Sequence, residues 1–150
     1  TTRMPRMFGF QAAGSAPMVL GHVVKDPDTI ASAIRIGNPA SWELALKAQA
    51  DSDGYFGSIT DDKILEAHRI LSAEVGIFVE PASAISVAGL LERAEAGEIP
   101  KGSTVVLTVT GHGLKDPQWA LRTADGSEVQ PTIVSVDTDE VAGVLGLVRA

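Results

Sequence analysis

An unbroken row of sheet-forming residues, Thr104-Val105-Val106-Leu107-Thr108-Val109, stops at Thr110-Gly111-His112-Gly113. A continuous run of β-branched and aliphatic residues, without polar alternation, suits a strand covered on both faces, as in a parallel sheet. Open α/β sheets present ligands beyond the carboxyl ends of their strands, and glycine there lets the backbone approach closely. A hydroxyl followed by two glycines at a strand end therefore places the candidate site at residues 110–113.

The remaining pattern supplies helices to cover such a sheet. Short apolar runs predict strands at 7–11, 56–59, 76–79 and 132–136. Pro39 is placed to open a helix through 41–48 that ends before Gly54. Thr60 is a cap for the next helix, with Asp61 and Asp62 in its first turn, where negative charge suits the helix dipole. Ile64, Leu65, His68, Leu71 and Val75 then recur at helical spacing and define a buried face. Pro81 starts a small-residue helix over 82–96, with Val87, Ala88, Leu91 and Ala94 on one face. A helical turn at 116–121 and a short helix at 138–146 complete the series. Helices alternating with short strands predict a three-layer αβα arrangement around a mainly parallel sheet. No repeat, low-complexity tract or linker divides residues 1–150.

The chain has 150 residues, 45% of them hydrophobic, enough for one domain with a real core. Its net charge is −7 and its 12 basic residues are scattered, so no basic patch for nucleic acid is expected. The absence of cysteine excludes disulfides, thiolate chemistry and cysteine-ligated zinc, and suits a cytoplasmic protein. No apolar stretch is as long as a membrane span. His22 and His68 fall in no metal-ligand spacing. The start of the chain lacks a signal-peptide core and an initiating methionine, so it is expected to begin inside a longer protein.

Three segments carry more than pattern. They are Ala33-Ile34-Arg35-Ile36-Gly37-Asn38-Pro39-Ala40-Ser41-Trp42, Gly76-Ile77-Phe78-Val79-Glu80-Pro81-Ala82-Ser83-Ala84 and Thr110-Gly111-His112-Gly113-Leu114-Lys115-Asp116-Pro117. With Phe8-Gly9-Phe10-Gln11-Ala12-Ala13-Gly14 and Ala16-Pro17, they resemble the threonine synthases, pyridoxal-phosphate enzymes of the tryptophan-synthase-β-like fold type II. The resemblance spans about residues 5–120 in the right order and spacing; residues after about 121 carry no motif of that family. The family's Schiff-base lysine, in a Ser-Phe-Lys-Asp-type motif, and its glycine- and asparagine-rich phosphate cup have no match here. Both lie upstream in the family. The resemblance thus implies the C-terminal part of the large cofactor-binding domain, inactive by itself and partnered by the N-terminal portion of the same enzyme.

The resemblance also implies roles for particular residues. Thr110 matches the hydroxyl that faces the pyridine nitrogen of pyridoxal 5'-phosphate; otherwise it merely caps its turn. Glu80 matches an acidic position beside the cofactor and either orients substrate or acts as a helix N-terminal acid. Ala33 matches a backbone position beside the cofactor ring. Arg35 is a candidate for bidentate phosphate or carboxylate binding or for a structural salt bridge. Asn38 is a cap for the helix opened by Pro39, and Ser83 either touches the site or is a small packing residue. His112 either touches the cofactor or stabilises its turn, and Lys115 and Asp116 tie the loop to the body. The implied reaction converts O-phospho-L-homoserine and water to L-threonine and phosphate, in an enzyme that is often a homodimer. A threonine or serine dehydratase of the same fold and a non-catalytic α/β module remain the alternatives. Were the N-terminal portion to dock here, an exposed apolar face should await it.

Overall fold

The structure, a computed structural model, describes residues 4–122 and 127–147, and the chain divides into two compact units, residues 1–119 and 120–150. In the first unit, β1 (Phe8–Ala12) pairs in parallel with β2 (Tyr55–Ile59), in a register that sets Phe8 opposite Tyr55 and Ala12 opposite Ile59. Parallel partners require a long crossover. Here it contains α1 (Pro17–Leu20), a 3-10 turn at Ser32–Ile34 and α2 (Trp42–Asp51). Helices combined with a parallel strand pair give the α/β class expected from the sequence.

Two helices follow β2. The first, α3 (Asp61–Ile70), starts where Thr60 Oγ1 accepts the Lys63 N–H and continues into a π-helical turn at Leu71–Val75. The second, α4 (Pro81–Glu95), begins with proline at its first position, where the missing N–H costs no helical bond. It packs against α3 and against both strands. Ile59, Ile64, Ala67, Leu71, Val79 and Ala84 form the centre of the core. Phe10 crosses directly beneath Gly89 of α4, where a Cβ would stand 2.4 Å from the ring. That close crossing explains a glycine inside a helix, where it would otherwise cost about 1 kcal/mol.

Several expectations are corrected. The buried face of α4 is Ser83, Ala84, Ile85, Ala88 and Gly89, while Leu91 and Ala94 are exposed. The first turns of the helix, rich in small residues, lie against the strands, and the later turns leave them. Val75 is 57% exposed because the chain turns out of α3 at the left-handed Gly76. The helix predicted after Pro39 starts at Trp42, with Ser41 before it, so Asn38 caps nothing. Segments 76–79 and 104–109 form no strands, apart from a single antiparallel bridge between Val79 and His112. A strand exists only through its ladder, and 104–109 finds no ladder partner among the described residues. Val105 and Val106 stay 46% and 86% exposed. The first unit thus carries exposed apolar side chains on 104–109.

In the second unit, Arg122 and Glu128 form an isolated bridge, and α5 (Thr138–Val144) is capped by Asp137, whose Oδ1 accepts the N–H groups of Asp139 and Glu140. The strand expected at 132–136 is absent for the same reason as the other; Ile133 is 91% exposed.

Candidate cofactor site

The site is built where two extended stretches touch. Glu80 donates its N–H to the Gly111 carbonyl at 3.0 Å, and Gly113 donates its N–H to the Phe78 carbonyl at 3.2 Å. This short antiparallel contact seats residues 110–113 over the N-terminus of α4. The fit depends on Gly111, because a Cβ there would stand 1.7 Å from Glu80 Oε1. Ser83, one turn into α4 and 3% exposed, reaches the same loop. Its Oγ accepts the N–H of Gly111 at 2.6 Å and that of Thr110 at 3.2 Å, and lies 3.2 Å from Thr110 Oγ1.

Two further bonds close the loop. Lys115 Nζ pairs with Glu80 Oε1 at 2.9 Å. Ser32 donates to Asp116 Oδ2 at 2.5 Å, which draws the 3-10 turn carrying Ala33 to the loop after Thr110. Thr110 and Ala33 are both exposed, whereas Glu80 is 3% exposed. Thr110 and Ala33 thus stay accessible, with the Thr110 hydroxyl braced against Ser83, and the carboxylate is committed inward to Lys115. Lys115 and Asp116 tie the loop to the body as expected.

Other candidates have structural partners. Arg35 directs Nε and Nη2 at the Thr29 carbonyl, at 2.9 and 2.5 Å, so its fork closes its own loop. His112 Nδ1 accepts the Leu114 N–H at 3.2 Å and caps the turn Gly113–Lys115. Its ring meets Phe78 edge-on at 5.5 Å, and Phe78 in turn meets His68 at 6.2 Å. His68 is buried behind them, and burial holds its pKa below the usual histidine value; Arg69 pushes the same way and a backbone contact at Val79 opposes. His22 is exposed, 3.1 Å from the Val23 carbonyl. Ser83 does more than pack, as its bonds to residues 110–111 show. Its spacing from Thr110 gave no sign of this, since a single contact 27 residues apart has no period.

The donor set fits the ring-nitrogen end of a pyridoxal cofactor. The accessible Thr110 hydroxyl is backed by Ser83 and followed by Gly111, whose missing Cβ lets the loop sit against Glu80. Comparison with known proteins places the chain in a family. Residues 1–111 match the model of the pyridoxal-phosphate dependent enzymes, and the chain belongs to that family. Among curated relatives, it is 54% identical over 146 residues to a threonine synthase from Mycobacterium leprae, covering 97% of this chain and 39% of the relative. It is 51% identical to a threonine synthase from Synechocystis sp., covering 96% of this chain and 37% of the relative. A threonine synthase from Methanocaldococcus jannaschii is 41% identical, with 95% and 36% covered. The chain therefore spans about two fifths of the length of these relatives, and the likeness continues past residue 121, where the motifs end. Among solved structures, a T.th. threonine deaminase superposes with a TM-score of 0.57 at 21% identity, covering 71% of this chain and 36% of that one. At that identity the likeness concerns the fold alone.

Proposed function

We propose that this chain is part of a threonine synthase, the C-terminal part of its large cofactor-binding domain, and that it supplies the pyridine-nitrogen side of the cofactor site. The observation that carries this reading is the identity with threonine synthases over nearly the whole chain. The reaction takes O-phospho-L-homoserine and water to L-threonine and phosphate: phosphate leaves the γ-carbon and water adds at the β-carbon. Pyridoxal 5'-phosphate, when bound, supplies the electron sink for carbanion chemistry at the substrate's carbons.

Each residue of this chain then has a definite task. Thr110 donates a hydrogen bond from Oγ1 to the ring nitrogen, which a neutral hydroxyl can do without forcing that nitrogen to be protonated. Ala33 contacts the ring through its backbone, so that contact does not need its side chain. Glu80, packed against Gly111, fixes the loop through Lys115 and so holds the backbone that carries Thr110 beside the cofactor. The lysine that holds the cofactor and the phosphate-binding residues come from the remainder of the enzyme, so this chain by itself turns nothing over. The enzyme acts in the cytoplasm as a homodimer on this reading.

The test is product analysis of the complete enzyme containing this chain, loaded with cofactor. Given O-phospho-L-homoserine, it should release phosphate and L-threonine in equal amounts. Cofactor binding without that turnover would overturn the proposal, and conversion of threonine or serine to a 2-oxo acid would move it to the dehydratases.

A further inference from the structure

We infer that Ser83 is a positioning residue: it donates to the Thr110 hydroxyl and so reserves the hydrogen of Thr110 for an acceptor outside the chain. The inference rests on the reading of Thr110 given under Proposed function and adds the device that makes that hydroxyl a donor.

The argument is a count of hydrogens and lone pairs. A serine oxygen has two lone pairs and one hydrogen. Ser83 Oγ receives the N–H of Gly111 at 2.6 Å and the N–H of Thr110 at 3.2 Å, which fills both lone pairs. Its third neighbour is Thr110 Oγ1 at 3.2 Å. Were Thr110 to donate in that contact, Ser83 would hold three donors and its own hydrogen would have no acceptor. At 3% exposure water cannot supply one, and buried donors are rarely left unmade. Ser83 is therefore the donor and Thr110 the acceptor.

The hydrogen of Thr110 is then kept off the Ser83 side. Because Thr110 is exposed, that hydrogen is free to turn away from the body, where a ring nitrogen with a free lone pair would take it. The bonds run in one direction, from the Gly111 N–H to Ser83, from Ser83 to Thr110, and from Thr110 outward. Aligned donors polarise one another and strengthen the last bond of the row. The backbone N–H groups thus act on the outermost hydroxyl through one buried serine. A valine at 110 would remove the donor, and an alanine at 83 would remove its orientation and part of its strength.

The experiment uses the complete enzyme loaded with cofactor labelled with ¹⁵N in the ring, and reads the ¹⁵N chemical shift and the cofactor dissociation constant. Thr110→Val should move the shift to that of a ring nitrogen without a hydrogen bond and weaken binding about tenfold. Ser83→Ala should move the shift part of the way in the same direction and weaken binding about threefold. Ser83→Thr, which keeps the hydroxyl, should restore both. If Thr110→Val leaves the shift in place, the reading of Thr110 fails and this inference with it. If Thr110→Val moves the shift and Ser83→Ala does not, Ser83 is structural only and this inference alone is overturned. Should the alanine variant fail to fold, Ser83→Cys, whose thiol is a weak donor and acceptor, must show the same partial displacement; an unmoved shift there overturns the inference equally.

Discussion

Lys115 Nζ lies 2.9 Å from Glu80 Oε1 in a lopsided pair: the lysine side chain is 60% exposed and the glutamate side chain only 4%. The lysine can exchange its partner for water, and the glutamate cannot. Lys115→Ala would leave a buried carboxylate without its cation, whereas Lys115→Arg keeps the charge. We expect Lys115→Ala to destabilise the enzyme by about 1–2 kcal/mol. This is below the usual cost of breaking a fully buried pair, because solvent reaches the lysine. Urea unfolding midpoints measure it. Equal midpoints for the alanine and arginine variants would mean the pair contributes nothing.

Gly111 is constrained by the same carboxylate. Gly111→Ala puts a Cβ 1.7 Å from Glu80 Oε1, so either the loop or the glutamate must move. The expected cost is about 1–3 kcal/mol, with weaker cofactor binding because Thr110 is the adjacent residue. Glu80→Ala removes the obstacle. In a double-mutant cycle, Gly111→Ala should therefore cost clearly less in the Glu80→Ala background than alone. Additive costs would place the origin of the glycine elsewhere.

What the sequence made legible follows the range of the interactions involved. The helices α3 and α4 and the strands β1 and β2 declare themselves through caps, proline and local periodicity, all within a few residues. The run 104–109 has the composition of a central strand, yet composition cannot supply the neighbour with which a strand exchanges hydrogen bonds. Asn38 and Pro39 look like a helix start because both are frequent there, but the helix waits for Trp42. The site divides in the same way. Glu80 and Thr110 were visible as motif residues, whereas their meeting depends on the contact between 78–80 and 111–113, which no local spacing encodes. Ser83 was visible as a site candidate, but its bonds to Thr110 and Gly111 depend on that contact and were hidden for the same reason.

His68 should make stability depend on pH. Burial lowers its pKa in the folded protein, while in the unfolded chain it titrates near the ordinary histidine value of 6.5. Between those two values the unfolded state binds more protons, so stability rises with pH. The contribution is fully present above about pH 6.5 and is lost as pH falls through the folded value. Urea midpoints between pH 5 and 8 should rise over this window, and His68→Gln should flatten that part of the curve. An unchanged slope in the variant would assign the dependence to other groups.

Lys115 also gives a clean test of where the cofactor is held. It is the lysine built into the candidate site, but Glu80 engages its ammonium and the loop bonds fix its direction. An amine already bonded to a buried carboxylate and held in that direction is poorly placed to attack an aldehyde. Borohydride reduction fixes pyridoxal phosphate to whichever lysine holds it. Intact-mass analysis should therefore find the 150-residue chain unmodified when it is treated alone, and inactive toward O-phospho-L-homoserine. In the complete enzyme, the added mass should map to a lysine outside these residues, and Lys115→Arg should leave that labelling in place. Labelling of Lys115 itself would show that this chain carries its own cofactor lysine, and the division of labour proposed for the site would have to be abandoned.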